Sequence, residues 1–294
     1  MPSIAARRSL ALRLAAIALV AAAVAGCLPA ALGGHGPSPE TPTPATPAPS
    51  SVAIASPRPA FTNAPTLDPS PTPSVAPSPK PTPAPTPKPV RVPVDINLVV
   101  SPAKHFITEI RKTWCAASGT QMVLALNGKV ALNPAVQAQI VAKSAAYWTY
   151  ADSHNKGWGP EMIAKVLDAY GVPGYEVRTY KTRAAALLDA AKAIETTHQP
   201  ALLMVWWGAH TWVMTGFRAT ADPRKFANAT VTGTYVLDPW YPRVSSIWGP
   251  SDPPGTFQNA KEMVRNYIAW TRPEGRYKAR DGMFVAVIPT LPKP

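Results

Sequence analysis

The sequence predicts an α+β domain with a mostly antiparallel sheet, carried behind a leader and a proline-rich stalk. Helical patterns occupy the first half of the C-terminal region, and short apolar runs with strand character occupy the second. That order indicates α+β rather than alternating βαβ units. Prolines mark the division of the chain: 21 of the 37 fall in residues 28–93, and only 15 in the 201 residues that follow. The expected organisation is a leader over 1–26, a stalk over 27–93 and one domain over 94–294, the last long enough to bury a core. The two cysteines exclude a scaffold held by several disulfides and a four-cysteine metal site.

The leader begins with a basic stretch, Arg7, Arg8 and Arg13, followed by an uncharged apolar run over 14–25. The run is short for a membrane span and suits the apolar region of a signal peptide. It ends in Val24-Ala25-Gly26-Cys27, which resembles a bacterial lipobox. The resemblance implies lipidation of Cys27 and a membrane-anchored protein on the extracellular face of a bacterium. An ordinary signal peptide cleaved nearby is the alternative, and both readings imply export. An exported lipoprotein rarely meets nucleic acid, and the chain has no nucleic-acid-binding signature despite its net charge of +13. It has neither a glycine-rich phosphate loop nor metal-ligand spacing, so no cofactor and no metal are expected.

In the stalk, proline alternates with Ser, Thr, Ala and Lys, as in P-S-P-K-P-T-P-A-P-T-P-K-P. Such a segment cannot bury a core and favours an extended polyproline II conformation. It is expected to act as a semi-rigid spacer. Its Ser and Thr would also suit O-glycosylation.

Within the domain, a helix is predicted from Cys115 to the stop at Asn127-Gly128. Asn133-Pro134 reads as a cap followed by proline at the first helical position, opening a second helix. A third follows Gly159-Pro160 and ends at Tyr170-Gly171, and an alanine-rich fourth runs from about Thr182 to Thr197. Strands are predicted over 201–207, 211–217, 234–238 and 283–289, with a further helix over 257–270.

Three residues carry the candidate chemistry. With Cys27 consumed by the leader, Cys115 is the one cysteine left in the domain. Cysteine is often simply a buried small hydrophobe, but at a helix start the dipole and the unpaired N–H groups stabilise a thiolate. A thiol nucleophile needs a base. His105 lies in an unassigned segment, and His154 and His198 lie in polar connections. His210 opens an apolar strand after a Gly-Ala turn, where a rigid backbone can aim its ring. Asp238 closes the Y-V-L-D run before Pro239 and suits the orienting partner of a histidine, although Asp-Pro also starts ordinary turns.

On these segments the chain resembles papain-like cysteine peptidases, and more narrowly the bacteriocin-processing, double-glycine peptidases. T-W-C-A-A-S-G-T-Q-M-V-L-A-L-N-G is similar to that family's cysteine helix. W-G-A-H-T-W-V-M-T-G-F is similar to its histidine strand, and Y-V-L-D-P-W-Y-P to its Asp-Pro segment. G-W-G-P-E-M-I-A-K-V-L-D-A-Y-G resembles the intervening helix. The resemblance implies a papain-like fold, with N-terminal helices carrying the nucleophile and an antiparallel sheet after them. It implies Cys115 as nucleophile, His210 as base and Asp238 as orienting residue, acting on a peptide or protein substrate. Cell-wall peptide is one form such a substrate would take.

Two departures stand out. Ala116-Ala117 follow the cysteine where the family has Gly-Pro, and Glu109 stands six residues before it where the family has a Gln. That Gln completes the oxyanion hole, whereas an ionised carboxylate only accepts hydrogen bonds. The Cys115 backbone N–H remains one donor, with Thr113 or Lys112 as candidates for the second. The rival readings are a peptidase-like binding module without catalysis and a peptidoglycan amide hydrolase. A transglutaminase-like acyl transferase fits the residue types, but its Cys–His spacing is shorter than the 95 residues seen here. Trp206, Trp207, Trp212, Trp240 and Trp248 are expected in the core or in a cleft wall. The domain's 22 Lys and Arg against 14 Asp and Glu suit a solvated basic face, or attraction of anionic wall polymers.

Overall fold

The computed structural model describes residues 88–153, 157–271 and 275–293. The leader, the lipobox with Cys27, nearly all of the stalk and His154 lie outside these residues. Residues 88–93 are exposed and carry no regular structure.

The domain mixes helices with an antiparallel sheet. β1 (Val94–Asn97) comes first. Three helices follow: α1 (Cys115–Leu126), α2 (Pro134–Ser144) and α3 (Pro160–Ala169). β2 (Tyr175–Tyr180), α4 (Arg183–Thr197), β3 (Ala201–Val205), β4 (His210–Ala219) and β5 (Val231–Leu237) come next. The chain then makes a small hairpin of β6 (Val244–Ser245) and β7 (Gly249–Pro250), and closes with β8 (Thr256–Asn259), α5 (Ala260–Asn266) and β9 (Phe284–Pro289).

The main sheet runs β2-β9-β3-β4-β5-β8, with β1 added beside β4, and every pairing in it is antiparallel. The long strand β4 lies at its centre. His210 pairs with Val205 at one end of β4, and Ala219 pairs with Val94 at the other.

Side chains alternate between the two faces of the sheet. Leu202, Met204, Val213, Val285 and Val287 join one core with residues of α1, α2 and α3. Ala201, Leu203, Val205, Met214, Ala286 and Ile288 join a second core with α4 and Met263 of α5. Burying side chains of this kind contributes about 1.5–3 kcal/mol each. Gly119 faces the sheet, where a Cβ would meet the Leu202 and Val213 side chains at 3.4 Å.

Local signals set the helix boundaries. The Asn133 side chain accepts from Val136 N at 2.9 Å, and Pro134 occupies the first helical turn of α2. The Thr182 hydroxyl accepts from Ala185 N at the start of α4. Removing the Asn133 cap by Asn133→Ala is expected to cost about 1 kcal/mol. A lower urea midpoint with an unchanged denaturant slope would register it.

The structure departs from the sequence-based expectation in four places. β1 precedes all the helices and β2 lies between α3 and α4, so helices do not simply come first. Both strands carry polar residues on alternate positions and are partly exposed, so no apolar run announces them. Residues 257–259 extend β8, and the predicted helix over 257–270 shrinks to α5 (Ala260–Asn266). Asn259 makes that boundary by accepting from Lys261 N and Glu262 N. Finally, the strand predicted over 201–207 ends at Val205, and Trp206 and Trp207 turn away with positive φ.

Candidate active site

Cys115 is the first residue of α1 and is a free, partly exposed thiol. No side chain caps this helix start, so its first amides point outward without a side-chain acceptor. His210 opens β4 and is 3% exposed, and Asp238 follows directly after β5 and is likewise 3% exposed. Because β4 and β5 pair side by side, their ends bring the two residues together. His210 Nε2 lies 2.7 Å from Asp238 Oδ1. The same oxygen accepts the Trp240 backbone N–H at 2.9 Å, which fixes the carboxylate. The other ring nitrogen, Nδ1, is not engaged by Asp238, and Cys115 lies close enough to act on the imidazole electrostatically. Burial alone pulls the His210 pKa down, but the charges of Asp238 and Cys115 and the hydrogen bond to Asp238 outweigh it and raise it. The arrangement favours an imidazolium set between a carboxylate and a sulfur.

Cys115 and His210 line one cavity of about 380 Å³. Trp206 and Trp240, both in ring contact with His210, line it, together with the exposed Lys112 and Thr113 that precede the cysteine. Asp152, Trp158, Trp270 and Tyr277 also line it and form a further wall. That wall is braced from behind. The Asp152 carboxylate accepts from Glu161 N and Met162 N at the start of α3 and pairs with Arg280 at 2.7 Å. Arg280 in turn lies 5.4 Å from the rings of Trp270 and Tyr277. Gly208 permits the closeness of the two walls: its φ is +84°, and a Cβ there would fall 2.3 Å from the Trp270 ring.

Glu109 is fully buried and is not among the residues lining the cavity. It therefore does not face a bound substrate in this arrangement, and a role as oxyanion donor finds no support in its position. Its carboxylate pairs with Arg243 Nη1 at 3.1 Å, and Arg243 Nη2 donates to the Glu109 carbonyl at 2.7 Å. Burial pushes the Glu109 pKa up to about 7, and Asp238 adds to the rise. His210, Arg243 and the Trp114 backbone N–H oppose it.

The segment around Glu109 fastens the site together. Thr108 Oγ1 and Glu109 N both donate to the Pro239 carbonyl at 3.0 Å, next to Asp238. Ser118 Oγ of α1 donates to the Ile107 carbonyl at 2.8 Å, and Ile110 N donates to Gln137 Oε1 of α2 at 2.8 Å. The cysteine helix and the Asp-Pro turn are thus tied through one short stretch of chain.

Of the other candidate residues, His105 ends a short 3-10 turn and His198 is exposed in the left-handed cap of α4. Trp212 is buried in the second core, whereas Trp206 and Trp240 line the cavity. Sequence reasoning gave no site role to Asp152, Trp270, Tyr277 or Arg243. They lie in connections without a motif, and only the folded chain brings them to the cavity or its supports.

No family model and no curated protein matches the chain. Among solved structures, the chain is similar to one described as a double glycine motif protease from an AMS/PCAT transporter in complex with the leader peptide. The identity is 16%, the match covers 63% of this chain and 91% of that one, and the TM-score is 0.32.

Proposed function

We propose that residues 94–294 form a papain-like cysteine peptidase domain that hydrolyses peptide bonds through Cys115, His210 and Asp238. The observation that carries this reading is a buried imidazole hydrogen-bonded to a buried carboxylate, sharing one cavity with a free thiol at a helix start that acts on it. In the reaction, His210 Nδ1 takes the Cys115 proton and the sulfur attacks the amide carbonyl carbon. The tetrahedral intermediate collapses as the imidazolium returns its proton to the leaving amine, which departs and leaves a thioester. Water, deprotonated by His210, then attacks the thioester and releases the acid and the thiol. Asp238 holds the ring so that Nδ1 faces the sulfur, and it stabilises the imidazolium. The Cys115 backbone N–H is the first oxyanion donor in this scheme, with Lys112 or Thr113 of the cavity lining as the second.

The test is hydrolysis of a defined peptide library by the full chain, read by mass spectrometry, with purified peptidoglycan in parallel. Cleavage of linear peptides that disappears in Cys115→Ala supports the peptidase reading. Release of wall fragments alone redirects the assignment to a peptidoglycan amide hydrolase. A second reading, a peptidase-like binding module, is favoured by the burial of Glu109 away from the cavity. Binding without turnover in both assays would establish it.

We also propose that the domain is displayed on the outer face of a bacterial membrane, through lipid on Cys27 and the stalk over 27–93. Acyl chains supply about 0.8 kcal/mol per buried methylene, so a multiply acylated Cys27 would hold the protein at the membrane. Cys27→Ala is expected to move the protein out of the detergent phase in a phase-partition experiment. Unchanged partitioning would refute lipidation at this residue.

A further inference from the structure

After β3 the chain enters the left-handed region at three successive residues, Trp206 (φ 54°), Trp207 (φ 60°) and Gly208 (φ 84°). Glycine accepts this conformation readily, but a residue with a Cβ loses about 1–2 kcal/mol in it. Two bulky tryptophans in a row are therefore strained, and such strain persists only where surrounding contacts enforce it.

The turn lays the Trp206 indole flat against the His210 imidazole, with ring centroids 4.2 Å apart and planes 19° apart. The indole also stacks with Trp248, with centroids 5.4 Å and planes 2° apart. Its position along the stack is fixed by a hydrogen bond from Trp206 Nε1 to Asn266 Oδ1 at 3.0 Å. Asn266 is itself held within α5, where its Nδ2 donates to the Glu262 carbonyl at 3.1 Å. Trp240 meets the imidazole edge-on at 6.5 Å.

We propose that Trp206, anchored by Asn266, is the positioning residue for His210. It acts by holding the imidazole plane in line with Asp238 and Cys115 and by keeping water off one face of the ring. An aromatic face also stabilises a cation lying against it, so the stack favours the imidazolium over the neutral ring. This inference rests on the reading of His210 as the base of a cysteine peptidase. It assigns a role to α5 and to the strained turn.

The groups bearing charge on His210 are Asp238 after β5, Cys115 on α1, and Glu109 with its partner Arg243. None of them is altered in the test. Titration of the His210 ring is followed by NMR of the imidazole nitrogens in the full chain, for wild type, Trp206→Ala, Trp206→Phe and Asn266→Ala. Loss of a desolvated cation–π contact corresponds to a downward shift of about one pH unit in Trp206→Ala. Trp206→Phe keeps a ring on the imidazole and should stay within about half of that shift. Asn266→Ala frees the indole and should also lower the midpoint. If Trp206→Ala fails to fold, Asn266→Ala decides. A His210 midpoint that does not move in Asn266→Ala and in every folded Trp206 variant overturns the proposal and leaves Trp206 as cavity wall. The titration needs no substrate. A wild-type chain that shows the shifts but cleaves nothing would leave the positioning role standing and remove the peptidase reading.

Discussion

Replacement of Cys115 by alanine is expected to lower peptide hydrolysis by the full chain by about 10⁴-fold or more. In the proposed mechanism the sulfur forms the bond to the substrate carbon, so nothing downstream of it proceeds without it. His210→Ala should fall to a similar level, because in that mechanism the imidazole both activates the thiol and returns the proton to the leaving amine. The double variant should be no slower than either single one. Groups that act as one unit lose their whole effect with the first member removed. Steady-state rates on one cleaved peptide measure all three, and urea unfolding shows whether each variant keeps its fold. Cys115 is partly exposed at the end of a helix, so alanine there leaves both cores intact. Residual activity within tenfold of wild type in Cys115→Ala would remove the nucleophile assignment, and with it the mechanism.

The three residues of the candidate site stand out in the sequence because each one is rare in its setting. One cysteine remained for the domain, and one histidine stood at the start of an apolar strand. An aspartate ended the strand that neighbours it, and the structure places the three side by side. The helices were readable from caps: Asn133-Pro134, Gly159-Pro160 and Thr182 each stand where a helix begins. What escaped the sequence depends on tertiary context. β1 and β2 carry too few apolar residues to be seen before their partners β4 and β9 are known. The left-handed turn at Trp206 and Trp207 contradicts local preference, since bulky residues avoid positive φ. It forms because the stack on His210 and the bond to Asn266 hold it. The cavity lining joins residues of the stretch before α3 to the stretch before β9, a distance in sequence that no motif spans.

Glu109 shows how an apparent defect in the sequence becomes a measurable property of the fold. Its carboxyl is sealed from solvent, with Oε1 on Arg243 and no hydrogen-bond partner for Oε2. Burial is the chief reason its pKa rises from 4.5 to about 7. The folded chain therefore holds a proton that the unfolded chain releases near pH 4.5. For such a group, stability is lost as pH rises from about 4.5 and levels off above about 7. A shift of this size corresponds to about 3 kcal/mol between the two ends of that range. Glu109→Gln keeps the shape and removes the titration. Its oxygen can still accept from Arg243, and its amide adds a donor where the carboxylate has an unpaired oxygen. The variant is expected to gain on the wild type by about 3 kcal/mol on going from pH 4.5 to pH 8. Urea unfolding of both chains at the two pH values measures it. Parallel stability curves would mean that Glu109 is already ionised in the folded chain and that Arg243 alone carries the cost of its burial. In that case the carboxylate is a fixed negative charge near His210 and Asp238, and the imidazolium in the site owes part of its stability to it.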